Sequence, residues 1–168
     1  VRRPDGDVTV RTVAIDAVPN YGDYCAAAKV LTSALDTEHL ALNYFELAPG
    51  ETPSRGPHAH FDQSETFVVL VGAVTFEVGD PRETEPESVV VTEGEAVRFE
   101  PGEYQQAWNR GDESATLLAL GVPRDSEDVD LLRACPGCDA LTTQQFEQEG
   151  DVLLTVCVDC GTETGRFE

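Results

Sequence analysis

Two groups of residues in this chain are of the types that bind metal ions. His58 and His60 stand two apart in the segment GPHAHFDQSETF, and Glu65 follows after four intervening residues. Side chains at i and i+2 of an extended strand project to one face, so both imidazoles address the same volume. The intervening FDQS lets the chain turn before the next apolar run, which can bring the Glu65 carboxylate beside them. Two imidazoles and a carboxylate are the ligand set of non-haem Fe(II) oxygenases, and Mn, Ni, Co or Zn suit the same donors. The competing reading is a strand of hydrogen-bonded pocket histidines without a metal.

The second group is Cys135-Pro-Gly-Cys138 and Cys157-Val-Asp-Cys160, two CxxC turns separated by 18 residues. That spacing predicts a closed tetrahedral zinc site, structural because four cysteines leave no open position. Gly161, directly after the second pair, supplies the flexible turn that lets backbone amides face sulfur. Rubredoxin-like iron uses the same four sulfurs. Disulfides fit the count, but the N-terminus VRRPDGDVTVRTVAID lacks the apolar core of a secretory signal, and the expected cytoplasmic setting favours metal. A redox CxxC would need a surrounding βαβ pattern, which is missing. Cys25, with no His or Cys nearby, is expected to be a small buried hydrophobe. His39 is expected at the surface.

From His39 onward the chain is a succession of short β-branched and aromatic runs closed by Gly, Pro or acidic turns, which predicts an all-β sandwich or barrel. Val74, Phe76 and Val78 alternate with Thr75 and Glu77, the period of a half-buried strand. Phe67 to Val71 is apolar on both faces, so its outer side calls for cover by the N-terminal segment or by a second subunit, and a homodimer is the expectation. The expected organisation is an N-terminal extension packing on the barrel (1–37), the barrel (38–123), a charged linker (124–134) and a small ribbon (135–168). Within the extension, Val8 to Ile15 reads as extended and Tyr24 to Leu35 as helical, because Ala26, Ala27 and Ala28 favour helix. Val152 to Val156 is expected to be a ribbon strand.

The histidine segment resembles the first motif of the cupin superfamily, G-x5-H-x-H-x3-4-E-x6-G. His58, His60, Glu65 and Gly72 match in register, and Gly50 lies two residues early. The segment GEAVRFEPGEYQQAWN is similar to the second motif, G-x5-P-x-G-x2-H-x3-N, through Gly94, Gly102 and Asn109. Glu100 stands where that pattern has proline, with Pro101 one step later, and Gln105 stands where it has a third metal-binding histidine. The resemblance implies a jelly-roll barrel with a metal near its axis. Gln105 would then be a weaker, neutral ligand or a hydrogen-bonding group for a small molecule. Phe67 and Val69 share the side of Glu65 and are expected to line the cavity, while Trp108 is expected on the opposite face from Gln105.

Thirty-two acidic residues against eleven basic ones give a net charge of −21, and Lys29 is the only lysine. The acids are spread along the chain, which fits adaptation to a salt-rich cytoplasm, where screening shortens to about 3 Å at 1 M salt. Residues 125–168 carry only Arg133 and Arg166 as cations, which argues against nucleic acid as the partner of the ribbon. Capping the barrel, stabilising the C-terminus or docking a protein are the roles that remain for it. No apolar run approaches the roughly 20 residues needed to cross a bilayer. Three classes of function follow: a metal-dependent dioxygenase or isomerase acting on an unidentified small molecule, a binding barrel without chemistry, and an interaction module.

Overall fold

The computed structural model describes residues 10–22 and 24–167. Their elements in chain order are β1 (Ala27–Val30), α1 (Leu31–Leu35), β2 (Ala41–Leu47), β3 (His58–His60), β4 (Ser64–Val71), β5 (Ala73–Val78), β6 (Glu87–Thr92), β7 (Ala96–Phe99), β8 (Gln105–Trp108), β9 (Ala115–Val122), β10 (Val129–Cys135), β11 (Ala140–Glu149), β12 (Val152–Cys157) and β13 (Glu163–Phe167). A five-stranded sheet runs β1-β2-β9-β4-β7, and an eight-stranded sheet runs β13-β12-β11-β10-β3-β8-β5-β6. Every pairing is antiparallel. No helix among the described residues is long and apolar enough to cross a membrane.

The main core lies between the two sheets. Phe45, Leu47, Phe67, Val69 and Leu117 come from one, and Val74, Phe76, Val91 and Ala107 from the other. The predicted alternation on β5 holds: Val74 and Phe76 are fully buried while Thr75 and Glu77 are half-buried. Phe67, Phe76 and Phe99 meet with ring centres 5.0 to 6.1 Å apart, Phe67 and Phe99 edge to face and the other two pairs tilted, within the spacing of packed aromatic pairs. Gly72 turns the chain from β4 into β5 at φ +76°, a left-handed conformation that costs glycine little.

Three expectations about the elements need correction. Ala27 and Ala28 lie in a strand, and only Leu31–Leu35 is helical. Pairing with Phe45 and Glu46 of β2 outweighs alanine's weak helix preference. Of the stretch expected to be extended, Val8 falls outside the described residues, Val10 to Ala14 form no strand, and Ile15–Ala17 make a single 3-10 turn. The segment read as a charged linker becomes strand from Val129 onward, because β10 pairs with β3 on one side and β11 on the other. Among the described residues, the N-terminal segment adds β1 to the sheet edge at β2, and Leu70 and Val71 of β4 are exposed.

The cysteine-bearing strands therefore continue the barrel sheet. Behind this seam Leu132, Ala59 and Tyr104 form a second small core. Arg82 spans it, donating to Tyr104 Oη at 2.7 Å, Thr143 Oγ1 at 3.1 Å and Asp130 Oδ2 at 3.2 Å. Tyr104 also donates to Asp130. Close approach is enforced at Gly56, where a Cβ would stand 2.3 Å from the carbonyl oxygen of Leu132.

Candidate functional site

The sheet register assembles the first cluster. Residues directly opposite in an antiparallel pair share a face, and His58 lies opposite both Gln105 of β8 and Leu131 of β10, with His60 opposite Val129. Glu65 enters from β4 of the other sheet, so the cluster sits between the sheets, at one end of the core. One donor atom from each of His58, His60 and Glu65 lies within 4.8 Å of the others, an arrangement that could hold a metal. Each histidine Nε2 is 4.0 Å from Glu65 Oε2.

Both imidazoles are oriented from behind. His58 Nδ1 donates to the carbonyl of Gly56 at 3.1 Å. His60 Nδ1 donates to Ser126 Oγ at 2.9 Å, and Ser126 in turn donates to Asp62 Oδ1 at 2.5 Å. With Nδ1 carrying the proton, each Nε2 presents its lone pair to the cluster, which is how metal-binding histidines are commonly prepared. Gln105 is 3% exposed, and its Nε2 donates to Glu65 Oε2 at 3.1 Å and to His58 Nε2 at 3.0 Å. The structure thus brings together all four residues expected here.

The relay through Ser126 and Asp62 was not legible in the sequence, since 64 positions separate its two members. Asn109, the last residue of the second motif, is fully buried away from the cluster. It holds a turn by donating to the carbonyls of Leu47 and Glu113, both at 2.8 Å. Phe67 and Val69 lie on the side of Glu65 as expected, but packed in the core. Trp108 is half-buried under the Arg110 guanidinium. His39 is exposed and Cys25 buried, as expected.

Burial pushes Glu65 up to about 7 and His58 down to about 4, and it lowers His60 as well. All three shifts favour neutral forms in the ion-free protein. Folded Glu65 keeps its proton up to about pH 7 whereas the unfolded chain loses it near 4.5, so its contribution to stability falls as pH rises through that window. His58 acts oppositely: the unfolded chain gains a proton near 6.5 and the folded one only near 4, so stability is lost as pH falls between them. A divalent ion requires ionised Glu65. Metal uptake is expected to release about one proton at about pH 6 and almost none at about pH 8.5. Calorimetry in buffers of different ionisation enthalpy measures this, and equal release at both pH values would contradict it.

Ser54, Arg55, Val129, Leu131 and Phe146 complete, with His58 and His60, a cavity of about 260 Å³. Phe146 belongs to β11, two residues beyond Gln144, which lies opposite Leu131, so it shares the histidine face. The cysteine-bearing hairpin thereby contributes a wall to the cavity.

The second cluster gathers Cys135, Cys138, Cys157 and Cys160, with all four sulfurs within 4.8 Å of one another. Cys135 ends β10 and Cys157 ends β12, the hairpin strand expected there. The backbone amide of Gly161, at φ +73°, donates to the carbonyl of Cys157. Thr142 Oγ1 lies 3.2 Å from Cys157 Sγ, and its hydroxyl lowers that thiol to about 6. All four thiols are unbridged, and the cluster could hold a metal ion.

Two packed sheets with a His-His-Glu cluster between them make up the all-β cupin double-stranded β-helix fold. Residues 43–121 match the Cupin domain family, and the four-cysteine cluster lies outside that match. Among solved structures, the chain is similar to an uncharacterized conserved protein with a double-stranded β-helix domain from Klebsiella pneumoniae, at 18% identity and TM-score 0.57 over 73% of this chain and 97% of that one. It is also similar to a sugar phosphate isomerase of the cupin superfamily from Silicibacter pomeroyi, at 19% identity and TM-score 0.55 over 91% of each chain. A recombinant oxalate oxidase in complex with glycolate aligns at 19% identity and TM-score 0.57, over 76% of this chain and 66% of that one. No curated protein matches the sequence.

Proposed function

We propose that this chain binds a divalent metal in its barrel and uses that site to bind or transform a small molecule, while its four cysteines hold a structural zinc. The observation that carries the reading is the convergence of two imidazole Nε2 atoms on one carboxylate, with both Nδ1 atoms already engaged. His58, His60 and Glu65 would hold the ion, which can be Fe, Mn, Ni or Zn, and Gln105 supplies a neutral amide in place of a fourth strong ligand. An ion so held supplies Lewis acidity and an open position for a ligand. The chain's own residues orient the imidazoles, His58 through the Gly56 carbonyl and His60 through Ser126 and Asp62.

A second reading has its own support. Gln105 Nε2 donates to both Glu65 and His58, so the cluster is hydrogen-bonded without any ion, as a metal-free binding barrel requires. Elemental analysis of the purified chain and of a His58→Ala, His60→Ala double variant separates the two. We expect two metal equivalents per chain, one of them lost in the variant. A single equivalent of zinc retained by both forms would sink the barrel-metal reading.

A further inference from the structure

Gln105 opens β8, opposite His58 of β3 on one side and Val78 of β5 on the other, and it is 3% exposed. The backbone around it is tied to both neighbours. The Gly102 amide donates to the carbonyl of His60 at 2.8 Å, and the Gly79 amide donates to the carbonyl of Tyr104 at 2.9 Å. Two strands therefore deliver this side chain to the histidine cluster. Its Nε2 stands 3.0 Å from His58 Nε2 and 3.1 Å from Glu65 Oε2, two atoms of the set that could hold a metal.

The partners fix which end of the amide faces them. His58 Nδ1 lies 3.1 Å from the carbonyl of Gly56, which can only accept, so Nδ1 carries the ring proton and Nε2 keeps a lone pair. The amide answers with its NH2, whose two hydrogens serve the imidazole and the carboxylate together. A neutral imidazole in the place of Gln105 would have one hydrogen to offer. A divalent ion bound here would stand about 2.0–2.2 Å from its imidazole nitrogens and carboxylate oxygen. His58 Nε2 has a single lone pair and cannot serve the amide and an ion at once. The amide also ties the two sheets where an ion would, since Glu65 belongs to β4 of the five-stranded sheet and Gln105 to the eight-stranded one.

We infer that Gln105 is a latch on the barrel site: its NH2 holds His58 and Glu65 in the ion-free protein, and a divalent ion binds only by displacing it, so this residue weakens metal uptake. The inference rests on the barrel-metal reading above. Two hydrogen bonds stabilise the ion-free cluster, and an ion has to outcompete both. His60 stands outside the latch. Its Nε2 is 4.0 Å from Glu65 Oε2, beyond hydrogen-bond reach, and it lines the cavity together with His58. A latch and a fourth ligand differ in sign: removing a ligand loosens the ion, and removing a latch tightens it.

The test titrates Mn2+ into the full chain at about pH 8.5, where the Glu65 carboxyl is ionised, with oxygen excluded and the metal content of each sample measured first. Gln105→Leu removes the amide and leaves an apolar side chain. It is expected to bind Mn2+ at least about ten-fold more tightly than wild type, the effect of losing two hydrogen bonds of ordinary net strength. The same variant should unfold at lower denaturant when ion-free. Equal or weaker Mn2+ affinity in the folded variant overturns the inference, whether or not its ion-free stability falls. No Mn2+ bound by either protein overturns the barrel-metal reading and the latch with it, whereas wild type binding at least as tightly as the variant overturns the latch alone. Should Gln105→Leu fail to fold, nuclear magnetic resonance of the wild-type Gln105 side-chain NH2 serves. Its hydrogens are expected to exchange slowly in the ion-free protein and faster once the barrel is filled with diamagnetic Zn2+, and unchanged resonances on filling overturn the inference.

Discussion

Cys135→Ser, or removal by a strong chelator of the zinc proposed for the four cysteines, is expected to unravel β10 to β13 and to loosen the strand that carries His58 and His60. Four thiols packed together, with sulfurs 3.5 Å apart between Cys135 and Cys160 and 3.9 Å between Cys138 and Cys157, have no large apolar core to hold them when the ion leaves. Structural zinc sites contribute apparent binding energies of about 10–16 kcal/mol at neutral pH, as large as the whole stability of a typical domain. The effect reaches the barrel because Cys135 ends β10, whose Leu131 and Val129 pair with His58 and His60. Hydrogen exchange should therefore rise in β10 to β12 and in β3, while Val74 and Phe76 of β5 stay protected. Thiol titration gives an independent count. No cysteine should react in the metal-loaded protein, four should react after chelation, and Cys25 only after denaturation, since burial raises its thiol to about 11. Unchanged exchange in β3 after demonstrated metal loss would show that the two clusters are independent.

Phe76→Ala is expected to destabilise the barrel by about 3–5 kcal/mol, the cost of a large cavity in a packed core. The ring is fully buried, 5.0 Å from Phe67 and 5.5 Å from Phe99, so its loss removes two aromatic contacts as well as buried area. Phe67 stands two residues from Glu65 on the same face of β4, and a collapsing cavity would shift the strand that delivers the carboxylate. Denaturant unfolding of the metal-loaded protein, with the slope checked against wild type, measures the loss. A loss below about 1 kcal/mol would mean that Phe76 does not organise this core.

The parts legible in the sequence were those governed by local periodicity. A spacing of two positions put His58 and His60 on one face whatever strand they joined, because side chains alternate along extended backbone. The CxxC turns and their separation prepared four thiols for one ion, and alternation along β5 marked Val74 and Phe76 for the core. The failures came where pairing with distant strands overrode local preference. Ala27 and Ala28 form a strand because β2 offers an edge, and the charged stretch before Cys135 became β10 because β3 offers another. No pattern along the chain marks an edge as open.

What the sequence by itself determined was the pair of donor sets and the β-rich character of the chain, since both follow from residue type and short-range spacing. Only the tertiary structure decided what surrounds them. Ser126 stands behind His60, Phe146 from the cysteine-bearing hairpin walls the histidine cavity, and Arg55 is held among rings from both ends of the described chain. Each of these contacts joins residues far apart in sequence, and the register between strands that creates them is set by packing of the whole sheet.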